Sequence, residues 1–157
     1  MLPAVTITGV PVFGNYETQG VAFDASDNAW VAAFIGGAGQ EGGAIEYSNS
    51  GTLISPSAGY PTTAPSANPN EVFVDGLGNV FTTNTAITEF SNTGTVLSPA
   101  TGYQPDQNDC CLTGAIDGSG NLWATGINHV FEIVGLAAPV VTPTVLAVKN
   151  GTQGQRP

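Results

Sequence analysis

Basic residues are almost missing from this chain. Lys149 and Arg156 are the only two, against 12 acidic residues, and the formal net charge is −10. Both lie in the C-terminal tail, so no basic patch can form on the folded body. That excludes recognition of nucleic-acid phosphates and of anionic membrane surfaces. Charge of either sign is scarce at 9% of residues, well under the usual quarter, which argues against disorder driven by charge. Long apolar runs are missing too: no stretch is long enough to cross a bilayer as a helix. Histidine occurs once, as His129, and cysteine twice, as the adjacent Cys110 and Cys111. Two thiols without histidine neighbours make no tetrahedral zinc site. Three readings of the pair stay open: plain thiols at a strand entrance, a vicinal disulfide in a strained ring, or an intermolecular bridge. The opening MLPAVTITG has neither a basic n-region nor an apolar h-region. The Thr/Asn/Gly-rich, Lys-poor make-up nonetheless suggests an extracellular or periplasmic location, and the acidity is read as keeping a polar surface soluble.

What is present is apolar material and turns. The chain is 41% hydrophobic, with 21 Gly and 11 Pro, enough for one domain with a core and many reversals. One heptapeptide pattern occurs three times: DASDNAW from Asp24, DGLGNVF from Asp75 and DGSGNLW from Asp117. Each copy is flanked by short apolar runs, the sign of a β-hairpin closed by a tight turn. The repeat extends further. SNSGTLISPSAGY ends at Tyr60 and SNTGTVLSPATGY ends at Tyr103, while Glu46, Glu89 and Glu132 keep the same spacing. That spacing, about 43 residues with several short strands, falls in the range of propeller blades. The apolar runs are β-branched or aromatic and lack the three- and four-residue spacing of a helical repeat.

The expected fold is therefore all-β: a partial β-propeller of three four-stranded antiparallel blades with an extra N-terminal strand. Blade 1 is placed at 20–59, blade 2 at 60–102 and blade 3 at 103–141. Residues 1–19 form a lead-in from an incomplete blade, with a β-prone run at Pro3–Thr8, and 142–157 form a tail in which Val145–Val148 is a possible edge strand. The last strand of blade 3 is expected at Pro139–Val141. The Gly-rich stretch Ile35–Gly43 reads as an insertion.

The frame resembles bacterial β-propeller repeats of the NHL and virginiamycin B lyase-like kind. The residues that carry the likeness are DGSGNLWATG from Asp117, TEFSNTG from Thr88 and LSPATGY from Leu97. Such proteins have five to seven blades, so the resemblance implies a C-terminal half. Three blades cannot close a ring of four to eight, which leaves two terminal faces apolar and wet. Two copies would close a six-bladed ring, and a homodimer is the expected partner arrangement.

Candidate sites are few. The turn carboxylates Asp24, Asp75 and Asp117 are read as caps of backbone N–H groups, because a calcium loop needs further ligands at alternating positions. Glu46, Glu89 and Glu132 allow two readings: a carboxylate ring around a central metal, as in gluconolactonase-like propellers, or a repeated solvent-facing position. The second is preferred, because the third strand of a blade does not line the channel. Trp30, Phe81 and Trp123 are read as inter-blade core rather than a sugar-stacking surface. Lyases of the resembled kind use paired histidines, a carboxylate and magnesium. His129 alone does not match that set and is read as an ordinary strand residue, so no catalytic residue, metal or cofactor is assigned. The remaining candidates lie on the inter-blade loops: Tyr60, Tyr103, Asp106 and Asp109, as a rim for a carbohydrate or peptide ligand. The leading functional expectation is a non-enzymatic binding or assembly module. The alternative is a metal-dependent lyase- or lactonase-like propeller whose catalytic half is elsewhere.

Overall fold

The computed structural model describes residues 15–36, 42–62 and 68–140. Within them the chain is all-β, with three small antiparallel sheets. The first sheet joins β1 (Asn15–Phe23), β2 (Ala29–Gly36), β3 (Gly43–Tyr47) and β4 (Tyr60–Pro61) in sequence order. The second joins β5 (Glu71–Val74), β6 (Val80–Thr83) and β7 (Ile87–Phe90), and the third β8 (Thr113–Ile116), β9 (Leu122–Thr125) and β10 (Val130–Ile133). Consecutive strands pair in each sheet, and the leading strands meet, with β5 packed against both β1 and β8. This is the blade arrangement of a partial propeller.

The three heptapeptides are the β1–β2, β5–β6 and β8–β9 turns, and they share one geometry. In each, the Asp N–H donates to the Asn carbonyl four residues on, at 3.1, 2.9 and 3.0 Å. One carboxylate oxygen of Asp24, Asp75 or Asp117 accepts the amides two and four residues ahead, at 2.8–3.0 Å. The aspartates are therefore turn caps, as the pattern implies. The residue before each Asn has positive φ. Two copies have glycine there, Gly78 (φ 84) and Gly120 (φ 86), while the first has Asp27 at φ 60. Aspartate tolerates this region better than most side chains, but at a cost.

The fourth strands are weaker than expected. In blade 1 the position is divided between a single Tyr47–Leu53 bridge and the two residues of β4; in blade 2 it is reduced to the Phe90–Val96 and Ile87–Tyr103 bridges. Pro56 and Pro99 lie between the two halves, where a missing N–H and fixed φ interrupt a ladder. Because β4 pairs with β3, blade 1 reaches Pro61. In blade 3 the strand expected at Pro139–Val141 is not formed at Pro139 or Val140. The chain there is committed to other partners. The Ala137 N–H donates to the Gly120 carbonyl at 3.0 Å, the Ala138 N–H to Asp75 Oδ2 at 2.9 Å and the Gly76 N–H to the Ala138 carbonyl. This segment straps the turns of blades 2 and 3 together. The runs Pro3–Thr8 and Val145–Val148, the extra N-terminal strand, Val141 and residues 37–41 of the Gly-rich insertion lie outside the described residues.

Two cores lie between blades. Trp30, Ala32 and Ala44 of blade 1 meet Val72, Val80 and Phe90 of blade 2. Phe81 and Ile87 of blade 2 meet Cys111, Leu122 and Ala124 of blade 3. Each strand sends alternate side chains to opposite faces, so the middle blade is buried on both. Cys111 is buried in the second of these cores, with Cys110 packed beside it.

The shared turn gives a direct test. Asp27→Gly should raise stability by about 1 kcal/mol, because it relieves a positive-φ side chain. Gly120→Ala should lower it by more, since its Cβ would also lie 2.3 Å from the Ala137 carbonyl oxygen. Urea unfolding midpoints measure both; equal and opposite shifts would show that backbone strain is not what separates them.

Candidate functional site

The repeat builds one polar cluster in each blade. In blade 1 the second carboxylate oxygen of Asp24 accepts from Asn28 Nδ2 at 3.0 Å and from the indole Nε1 of Trp30 at 3.5 Å. Asn28 Nδ2 also reaches Glu46 Oε1 at 3.3 Å, and the Tyr60 hydroxyl donates to Glu46 Oε2 at 3.3 Å. The Tyr60 ring stacks on Trp30 with centroids 5.5 Å apart, an offset geometry that aromatic rings favour. In blade 2 the Tyr103 hydroxyl donates to Glu89 Oε2 at 2.9 Å. Phe81 takes the tryptophan's place and has no indole N–H to offer. The Ala138 amide occupies the Asp75 oxygen instead. In blade 3 Trp123 Nε1 donates to Asp117 at 3.1 Å and Asn121 Nδ2 bridges to Glu132 at 3.1 Å.

These contacts correct two expectations. Glu46 and Glu89 are not solvent-facing: they are 4% and 8% exposed, covered by the next blade and by their tyrosines. Glu132 alone is exposed, because no described blade follows it. Trp30 and Phe81 are fully buried as inter-blade core, but Trp123 is 40% exposed for the same reason.

Burial sets the charges. It pushes the Glu46 and Glu89 carboxyls up, against the lowering by Tyr60 and Tyr103, with the neighbouring Asp24 and Asp75 charges adding to the rise. Burial and the hydrogen bond to Glu89 push Tyr103 up to about 12. Asp117 is held down to about 2, first by the Asn121 amide and then by the Trp123 indole. At Asp24, burial acts upward but is outweighed by the Asn28 and Ser26 amides.

The four rim candidates each have partners of their own within the chain. Tyr60 and Tyr103 are half-buried, with their hydroxyls engaged as described. Asp106 caps an exposed turn, accepting from the Asn108 amide at 2.9 Å. Asp109 is buried and clasps the turn before β10: it accepts from the Ile127 and Asn128 amides and lies 2.5 Å from His129 Nδ1. Burial acts to raise the Asp109 carboxyl, but His129 and these amides hold it below its usual range. His129 sits just outside β10 with a mostly exposed ring, as the partner of a carboxylate twenty residues back. Nothing local in the sequence signals that pair. The Tyr–Glu pairs did carry a signal, since both are separated by 14 residues. Among the described residues no three His, Cys, Asp or Glu side chains converge as a metal site.

A scan against protein-family models finds no match, and a search of curated proteins finds none by sequence. Solved structures do match in fold. A catalytically inactive virginiamycin B lyase from Staphylococcus aureus, solved with quinupristin, superposes with a TM-score of 0.61 at 13% identity, covering 78% of this chain and 39% of that one. A streptogramin B lyase gives 0.58 at 16% identity, over 78% and 39%. A putative gluconolactonase gives 0.55 at 15% identity, over 80% and 48%. The chain thus has the fold of part of a virginiamycin B lyase-like propeller and spans less than half the length of these structures.

The buried Glu–Tyr pair and the turn aspartates set the pH profile. Glu46 and Glu89 titrate above their ordinary 4.5 in the fold. Their contribution is therefore fully present below 4.5 and is lost as pH rises through the raised values. Asp24, Asp109 and Asp117 titrate below 3.8. Their contribution is present above 3.8 and is lost as pH falls, toward about 2 for Asp117. The melting temperature should peak between these ordinary values and fall on both sides, as read by circular dichroism. Glu89→Gln should flatten the decline toward neutral pH. Glu89→Ala should cost about 1–3 kcal/mol by leaving the Tyr103 hydroxyl unpaired. A melting temperature that climbs steadily to pH 7 would contradict the assignment.

Proposed function

We propose that this chain is a non-enzymatic binding or assembly module that works through the two blade faces that no described blade covers. One observation carries the reading. Positions that are buried between blades inside the molecule are open at its ends. Val21 and Phe23 of blade 1 occupy the repeat positions of Val72 and Val74 in blade 2, yet they are 57% and 64% exposed. Val21 lines a concavity of about 340 Å³ together with Gly20, Ala29, Val31, Ile45 and Tyr47. At the other end Trp123 stands where Trp30 and Phe81 stand in their blades. Blade 1 of one copy therefore presents the kind of face that blade 2 turns toward blade 1, and blade 3 presents the kind of face that receives it. Head-to-tail stacking of two copies repeats an interface the fold already contains, and a closed pair has six blades. The loop rim supports the reading less, because Tyr60, Tyr103 and Asp109 are held by partners within the chain.

The names of the fold neighbours favour a second reading. A lyase- or lactonase-like propeller would have its catalytic residues on blades beyond these three. It requires a longer chain containing those blades to bind a divalent cation, so a melting temperature of that longer chain unmoved by added Mg²⁺ or Ca²⁺ counts against it.

Light scattering after size exclusion, across a range of concentrations, tests the first reading. The expected result is a dimer at high concentration that Phe23→Asp converts to monomer without changing the circular dichroism spectrum. A monomer at every concentration, or a dimer indifferent to Phe23→Asp, would overturn it.

A further inference from the structure

The cluster on blade 3 lacks one member that its two counterparts have. Blade 1 holds Tyr60 opposite Ala44 of β3, with the hydroxyl on Glu46 two residues along and the ring on Trp30. Blade 2 holds Tyr103 opposite Ile87 of β7, with the hydroxyl on Glu89 two residues along. Blade 3 repeats the receiving side. Val130 stands at the position of Ala44 and Ile87, Glu132 at that of Glu46 and Glu89, and Trp123 pairs directly with Glu132 across β9 and β10. Asn121 already holds Glu132 Oε1, as Asn28 holds Glu46. All three receiving residues are open: Val130 and Trp123 are 66% and 40% exposed, and Glu132 is exposed as well. Among the described residues no strand pairs with the outer edge of β10.

We propose that this edge is a docking site for an extended peptide segment bearing a tyrosine. The segment pairs antiparallel with β10 and places its tyrosine opposite Val130. Its ring lies on the Trp123 indole and its hydroxyl donates to the free Glu132 oxygen. The main-chain ladder supplies general affinity, and the ring pocket with its carboxylate supplies selectivity. The chain's own residues 141–157 contain no tyrosine, so the hydroxyl comes from another segment. The proposal deepens the binding reading above by naming the partner chemistry of one face.

The test uses the whole chain and a synthetic peptide of residues 98–106, SPATGYQPD, which carries the internal Tyr103 in its native context. The two tryptophans give two indole signals in a proton–nitrogen correlation spectrum, and Trp123→Phe assigns them. Titration should shift the Trp123 signal saturably while the buried Trp30 signal stays. A Tyr103→Phe peptide should bind roughly tenfold more weakly, the loss expected for a hydrogen bond to a charged acceptor. Glu132→Ala should weaken the tyrosine peptide to a similar degree and leave the phenylalanine peptide unchanged. Equal binding of the two peptides, indifference to Glu132→Ala, or no shift at millimolar peptide would overturn the proposal. Repeating the titration on Phe23→Asp separates the two readings, because that substitution removes the blade 1 face and leaves this site intact.

Discussion

Each blade here is a single thin sheet, and a single sheet has no interior. Its two faces are both made of residues that need cover, and the only cover a propeller offers is the neighbouring blade. That constraint organises everything else in the molecule. It makes the middle sheet the best buried, with Val80, Phe81, Ile87 and Phe90 all at the bottom of the exposure range. It leaves Phe23 at one end and Trp123 at the other in water. The stability and the binding chemistry of this chain are therefore the same question asked at different blades.

Within that frame the polar repeat fastens the blades. An aspartate closes each hairpin and its second oxygen collects whatever donor stands nearby: an indole in blades 1 and 3, a backbone amide of the strap in blade 2. The exchange at Phe81 is instructive. Loss of one indole N–H is answered by a chain segment 63 residues away, which ties blade 2 to the end of blade 3. A glutamate and a tyrosine then lock the outer part of the blade to its middle. Both are buried deeply enough for the carboxyl to rise and the phenol to resist ionisation. A buried carboxyl group held by a phenol is an expensive fastening. Its recurrence in two blades, and its half-assembled form in the third, is what gives the open face of blade 3 a defined chemistry beyond exposed hydrophobicity.

Much of the fold was legible in the sequence, because hairpin turns are local. Asp, Gly and Asn at fixed offsets dictate the same reversal wherever they occur, and paired strands flank each of the three turns, as Glu71–Val74 and Val80–Thr83 do in blade 2. Repetition at a common spacing then implies blades. The fourth strands were less legible, since prolines divide them and a single bridge leaves no periodicity to read. Their tyrosines look like loop residues in a list of letters, and only the shared 14-residue distance to a glutamate hints otherwise.

The sequence by itself determined the all-β class, the three hairpins, the turn caps and the absence of any basic surface, because these follow from side-chain chemistry within a few residues. Tertiary structure alone decided which of three equivalent positions are buried. Trp30, Phe81 and Trp123 read alike, as do Glu46, Glu89 and Glu132. Their fates differ because burial depends on whether a neighbouring blade stands beside them, and no residue within a repeat encodes its place in the row. The same holds for Asp109 and His129, whose meeting needs the loop before blade 3 to fold back on the turn that precedes β10.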